Sequence, residues 1–228
     1  MSFDDPSPNH DARPPGSVID MLVLHYTGMR TATAARDRLC DPAARVSAHY
    51  LVDEDGTVMR LVPEVRRAWH AGVARWRGNS DINARSIGIE LVNPGHDFGY
   101  RPFPDAQMAA VAALASDIVR RHGIPARNMV GHSDVAPTRK QDPGELFDWP
   151  GLAAQGIGLW PAEANDCPMD AAVITAMLDE IGYDVSDPSA ALKAFQRHFR
   201  PVRVTGRVDA ETVRRLAGLL GLCRNDGA

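Results

Sequence analysis

Apolar positions along the chain gather into short runs divided by turns rich in proline and glycine. Two runs are apolar almost throughout, Val18-Ile19-Asp20-Met21-Leu22-Val23-Leu24 and Ser86-Ile87-Gly88-Ile89-Glu90-Leu91-Val92. Such runs predict strands buried on both faces, since a strand with one face in water alternates apolar and polar residues. Asn128-Met129-Val130 predicts a shorter strand, and Ala48–Val52 and Thr57–Val62 flank Asp53-Glu54-Asp55-Gly56 as the arms of a hairpin. A short helix is predicted over Thr31–Cys40, stopped at Asp41-Pro42 because a residue before proline avoids helical backbone. Residues 105–122 carry Met108, Val111, Ala112, Ala115, Ile118 and Val119 near a 3.6-residue period and end at Gly123, which predicts an amphipathic helix with a glycine stop. The irregular succession of strands and helices predicts an α/β class: a mixed central β-sheet flanked by helices.

After Trp160 the pattern changes. A polar, proline-bounded connector over 161–168 leads to three predicted short helices, Ala171–Ile181, Ser189–Phe199 and Asp209–Leu220, the latter two behind the cap-like Ser186-Asp187-Pro188 and Asp209. Residues 1–16 are polar and proline-rich up to Arg13-Pro14-Pro15-Gly16 and read as a mobile lead-in. The expected organisation is a flexible segment 1–16, an α/β unit 17–160, a connector 161–168 and a small all-α unit 169–222.

Composition removes several function classes. A net charge of −4 and the lack of any long basic run argue against a nucleic-acid partner. No apolar stretch is long enough to span a bilayer, so no membrane role is expected. The start of the chain lacks a basic patch followed by an apolar run. Cys40, Cys167 and Cys223 are far apart and outside any C-x-x-C spacing, as expected of reduced thiols in a cytoplasmic protein.

The candidate chemistry lies where strands give way to loops. His25 follows the first apolar run and His132 the short strand at 128–130, and in open α/β sheets ligands collect beyond the carboxyl ends of strands. Two histidines and a carboxylate make the ligand set of a catalytic zinc, which keeps its fourth position open. Asp134 and Asp142 both qualify as the carboxylate. Pro143 favours an extended Asp142, and side-chain alternation then points Lys140 and Asp142 the same way, one towards metal and the other towards substrate. Asp134, two residues after His132, is better placed to brace the loop through backbone amides. Glu90 interrupts an apolar strand, which is costly unless something satisfies it, and a desolvated glutamate suits accepting and returning a proton. His49 and His70 read as walls of such a site. Trp69, Trp76 and Asn83 suit stacking on or hydrogen-bonding to a sugar or peptide, or a scaffold role. Cys40, His96, His122 and His198 read as structural or surface residues.

The ordered set Leu24-His25-Tyr26-Thr27, Val46-Ser47-Ala48-His49-Tyr50-Leu51-Val52, Ala68-Trp69-His70-Ala71-Gly72, Asn83-Ala84-Arg85-Ser86-Ile87-Gly88-Ile89-Glu90 and Gly131-His132-Ser133-Asp134 through Lys140-Gln141-Asp142-Pro143-Gly144 resembles the zinc-dependent N-acetylmuramoyl-L-alanine amidases, relatives of the peptidoglycan-recognition proteins. The resemblance implies a Zn2+ held by His25, His132 and Asp142, with Glu90 and Lys140 catalytic. It implies cleavage of the amide between the lactyl group of N-acetylmuramic acid and the L-alanine of the stem peptide, with peptidoglycan fragments as the partner. Glu90 is expected to carry a proton from water to the leaving amine and Lys140 to face the oxyanion. His49, His70, Trp69, Asn83 and Arg85 are the expected substrate contacts. The tail, Ala191–Pro201 followed by Thr205–Thr212, resembles a three-helix peptidoglycan-binding module, shortened before its second helix. A peptidoglycan-recognition protein that binds without cutting is the alternative, although such relatives typically lack a zinc ligand.

Overall fold

The computed structural model describes residues 6–162 and 169–225. Its strands are β1 (His10–Ala12), β2 (Met21–Tyr26), β3 (Tyr50–Val52), β4 (Val58–Arg60), β5 (Arg66–Ala68), β6 (Ser86–Leu91) and β7 (Met129–Gly131). Its α-helices are α1 (Ala32–Cys40), α2 (Ile82–Arg85), α3 (Gly95–Phe98), α4 (Asp105–His122), α5 (His132–Val135), α6 (Trp149–Ala153), α7 (Ala171–Ile181), α8 (Pro188–Phe199) and α9 (Ala210–Asn225). Several helix boundaries follow from local chemistry. Thr31 accepts from the Ala34 amide at the start of α1, Asp187 caps α8 with Pro188 in its first turn, and α4 ends on Gly123 in the left-handed region.

The main sheet has the order β4-β3-β6-β2-β7, with β3, β6, β2 and β7 parallel and β4 antiparallel at one edge. Parallel strands end on the same side, so the chain leaves β2, β6 and β7 close together. Alternation then divides the sheet residues between two cores. Leu22, Leu24, Ile87 and Ile89 pack with Val111, Ala115 and Ile118 of α4. Met21, Val23 and Val130 point the other way and share a core with Ile174, Leu178, Phe195 and Leu216 of the C-terminal helices. The continuous apolar run of β2 thus has two covers, and the all-α unit supplies one of them. Among the described residues no helix is long and apolar enough to cross a membrane.

Residues 6–16 depart from the expectation of a mobile lead-in over 1–16. β1 pairs antiparallel with β5, and Ser7 and Asn9 are buried where Asn9 donates to the carbonyls of Asp41 and Val46. Arg13 is the main anchor, donating to the carbonyls of Glu64, Asn83, Ala84 and Ser86. A polar composition therefore marks a segment held by hydrogen bonds instead of by apolar burial. Residues 1–5 of this segment, and 163–168 of the connector with Cys167, lie outside the described residues.

Candidate active site

Sheet register builds the site. His25 lies directly across from Glu90 on the neighbouring parallel strand, and Gly131 pairs with Leu24, so His132 begins α5 just beyond the sheet. Asp142 returns beside it, the Ser133 amide donating to the Asp142 carbonyl over 2.9 Å and the Asp142–Pro143 peptide being cis. His25 Nδ1 lies 2.9 Å from His132 Nδ1 and 2.9 Å from Asp142 Oδ2, and His132 Nδ1 lies 3.0 Å from the same oxygen. All three residues are buried.

The outer nitrogens decide the protonation of this cluster. Ser86 Oγ–H donates to the Ile82 carbonyl, so at the same oxygen it accepts from His70 Nε2–H at 3.1 Å. Neutral His70 then carries a lone pair at Nδ1, 3.0 Å from His25 Nε2, which must hold the proton. Burial, with His132 beside it, lowers the pKa of His25 to about 4, so the ring is neutral and its Nδ1 is a bare lone pair. His132 Nε2–H donates to the Ala71 carbonyl over 3.0 Å, which leaves its Nδ1 bare in the neutral ring. Burial pushes the Asp142 carboxyl up, but His132 and His25 more than offset this and hold it well below the usual carboxylate range. The inward atoms His25 Nδ1, His132 Nδ1 and Asp142 Oδ2 thus converge within 3.0 Å of one another, while the outer nitrogen of each ring is taken by a hydrogen bond. A tetrahedral zinc with bonds of about 2.0–2.1 Å spaces its ligand atoms about 3.3 Å apart, close to the separations found here. The donor set fits a divalent cation.

These groups open into a cavity of about 430 Å³, whose walls include Tyr26, Trp69, His70, Glu90, Lys140 and Asp142. Burial and the nearby Asp142 charge hold the Glu90 carboxyl well above its ordinary range, opposed by Lys140, and its Oε2 is sealed without a hydrogen-bond partner. Arg38, Asp97, Arg139 and Gln141 also line the cavity. No motif flagged Arg38 or Asp97, which are brought in by α1 and α3 through tertiary packing.

Other expected substrate contacts do not reach the cavity. His49 is fully buried, its Nδ1 accepts from the Gly88 amide, and burial with the Arg13 charge lowers its pKa to about 3, so it braces the sheet. Arg85 faces away and pairs with Asp20. Asn83 lies at a shallow neighbouring hollow, but its Oδ1 accepts from the His70 and Ala71 amides and is committed to holding that loop. Trp76 is core, its indole N–H donating to Asn128. His70 lines the cavity and also orients His25, a double role that spacing alone could not reveal.

A mixed α/β fold with two histidines and an aspartate beyond parallel strand ends, and an acid and an amine in the same cleft, defines the class of metal-site hydrolases. Residues 15–145 match the N-acetylmuramoyl-L-alanine amidase family model, and the chain belongs to that family. It is 40% identical over 222 residues to N-acetylmuramoyl-L-alanine amidase AmiD of Escherichia coli, spanning 85% of this chain and 79% of that protein. It is 38% identical over 161 residues to 1,6-anhydro-N-acetylmuramyl-L-alanine amidase AmpD of the same organism, spanning 63% of this chain and 86% of that one. The structure of AmiD in complex with anhydro-N-acetylmuramic acid-L-Ala-D-gamma-Glu-L-Lys superposes with a TM-score of 0.81 at 38% identity, covering 92% of each chain.

Proposed function

We propose that this chain is a zinc-dependent amidase that hydrolyses the bond between N-acetylmuramic acid and L-alanine in muropeptides, serving cell-wall recycling in the cytoplasm. The observation that carries this reading is the convergence of three ligand-type atoms, on His25, His132 and Asp142, at a cavity that also holds Glu90 and Lys140. Zinc bound there would supply a Lewis acid for the amide oxygen and acidify water. Glu90, raised in pKa by burial, takes a proton from water and returns it to the leaving nitrogen. The Lys140 ammonium offers positive charge to the oxygen that becomes negative. Trp69 presents an aromatic wall for a sugar or peptide face. A muropeptide as the substrate is supported by the likeness to AmiD, whose structure contains an anhydro-N-acetylmuramic acid peptide.

The test is metal analysis of the purified chain, then assay of peptide release from a defined anhydromuropeptide with and without chelator. The expected result is about one zinc per chain and chelator-sensitive release of a peptide beginning with L-alanine. A chain that takes up no zinc and releases no peptide overturns the reading.

A further inference from the structure

We propose that the C-terminal helical unit is a working part of the metal centre, in which His198 and Tyr183 act through Asp134 as positioning residues for the turn that presents His132. This role rests on the metal reading above. Asp134 is 1% exposed and accepts three hydrogen bonds. Its Oδ2 takes the Gly131 amide at 2.7 Å and His198 Nδ1–H at 2.7 Å, and its Oδ1 takes the Tyr183 hydroxyl at 2.8 Å. Gly131 immediately precedes His132, so this carboxylate closes the turn around the ligand. The same turn is tied to the other side of the site, since the Ser133 amide donates to the Asp142 carbonyl.

Two of the three donors come from beyond residue 145, outside the span that matches the family model. A buried carboxylate that loses such donors carries an uncompensated charge, and the surroundings shift to rehydrate it. The donors are themselves fixed. His198 lies between Trp149, with ring centroids 3.7 Å apart, and Phe199, at 3.8 Å, which aims its Nδ1–H at Asp134. Tyr183 packs edge-on against Trp76 with centroids 5.1 Å apart. Carboxylate, turn and helices therefore form one rigid connection from α8 to a metal ligand. The unit's helices already cover the Met21 and Val23 face of β2, the face from which His25 projects.

The test uses the full chain and three variants. His198→Phe keeps the aromatic stack and removes the donor, His198→Asn places an amide N–H where Nδ1 stood and gives up the stack, and Tyr183→Phe removes one hydroxyl. Zinc release to a chromophoric chelator is followed beside kcat and KM on an anhydromuropeptide, with melting temperature as the check of folding. Loss of the donor in His198→Phe is expected to speed zinc release and lower kcat about tenfold at unchanged KM, an effect of the size seen for groups that orient metal ligands. His198→Asn is expected to recover most of both, and Tyr183→Phe to fall between. Wild-type zinc release in both His198→Phe and Tyr183→Phe overturns the proposal, and so does a His198→Asn as impaired as His198→Phe, because a donor put back at that position would then restore nothing. If His198→Phe does not fold, Tyr183→Phe decides by the same readouts. A wild-type chain that takes up no zinc refutes the metal reading itself and this role with it, and that measurement comes first.

Discussion

Replacing His70 with leucine is expected to loosen zinc and slow turnover while every proposed ligand and catalytic group stays in place. His25 passes its Nε2–H to His70 Nδ1 at 3.0 Å, and His70 passes its own Nε2–H to Ser86 Oγ at 3.1 Å. Leucine fills much of the same volume but accepts nothing. The buried His25 N–H then stays unpaired at a cost of about 1–3 kcal/mol. The ring can escape that cost by moving its proton to Nδ1, which removes the lone pair the metal needs. Either outcome weakens zinc binding by about 10–100-fold, on the order of 1.4–2.8 kcal/mol. Competition against a chromophoric chelator reads the affinity, and kcat on an anhydromuropeptide reads the consequence. His70→Asn, whose carboxamide oxygen can stand near the Nδ1 position, is expected to recover part of the loss. Gly88→Ala is expected to act in the same direction as leucine, because a Cβ there would lie 2.5 Å from His70 Cγ and displace the ring. A His70→Leu protein with wild-type zinc affinity refutes the relay.

Glu90→Gln is expected to lower kcat by about 10²–10⁴-fold with zinc content unchanged, measured by steady-state kinetics and metal analysis. Acid is expected to destabilise the metal-free protein through His25 and His49, whose folded pKa values of about 4 and about 3 lie below the ordinary 6.5. The unfolded chain binds protons at these rings before the folded chain does, so stability falls as pH drops below about 6.5 and each loss ends near the folded value. Between pH 7 and 5 the loss is about 2 kcal/mol per histidine, visible as a shift of the urea midpoint in chelator, and a midpoint that stays put counts against the buried neutral rings. Arg13→Met is expected to cost about 2–4 kcal/mol by leaving several buried carbonyls short of a charged donor, while zinc affinity is unchanged. Thermal melts beside the chelator titration check both halves.

The sequence by itself determined the strands of the main sheet, the long helix and the three C-terminal helices, because apolar runs, a 3.6-residue period and capping residues are local signals, whereas the β1–β5 pair carries no such signal. It also brought the proposed ligands together, since His25 and His132 stand at strand exits and Pro143 constrains Asp142, and neither inference needs a distant contact. What only the tertiary structure decided depends on partners far along the chain. The sequence of residues 1–16 shows polarity, but not the carbonyls of Asn83, Ala84 and Ser86 that Arg13 finds. His49, Asn83 and Arg85 stand in the motifs beside true cavity residues, and only sheet register and the Asp20 pairing turn them to scaffold. His198 and Asp134, 64 residues apart, meet because α8 packs beside α5. Spacing along the chain can mark which residue types suit a metal. Which ring nitrogen faces that metal, and which helix holds the turn behind it, depends on hydrogen bonds between residues that the chain brings together only when folded.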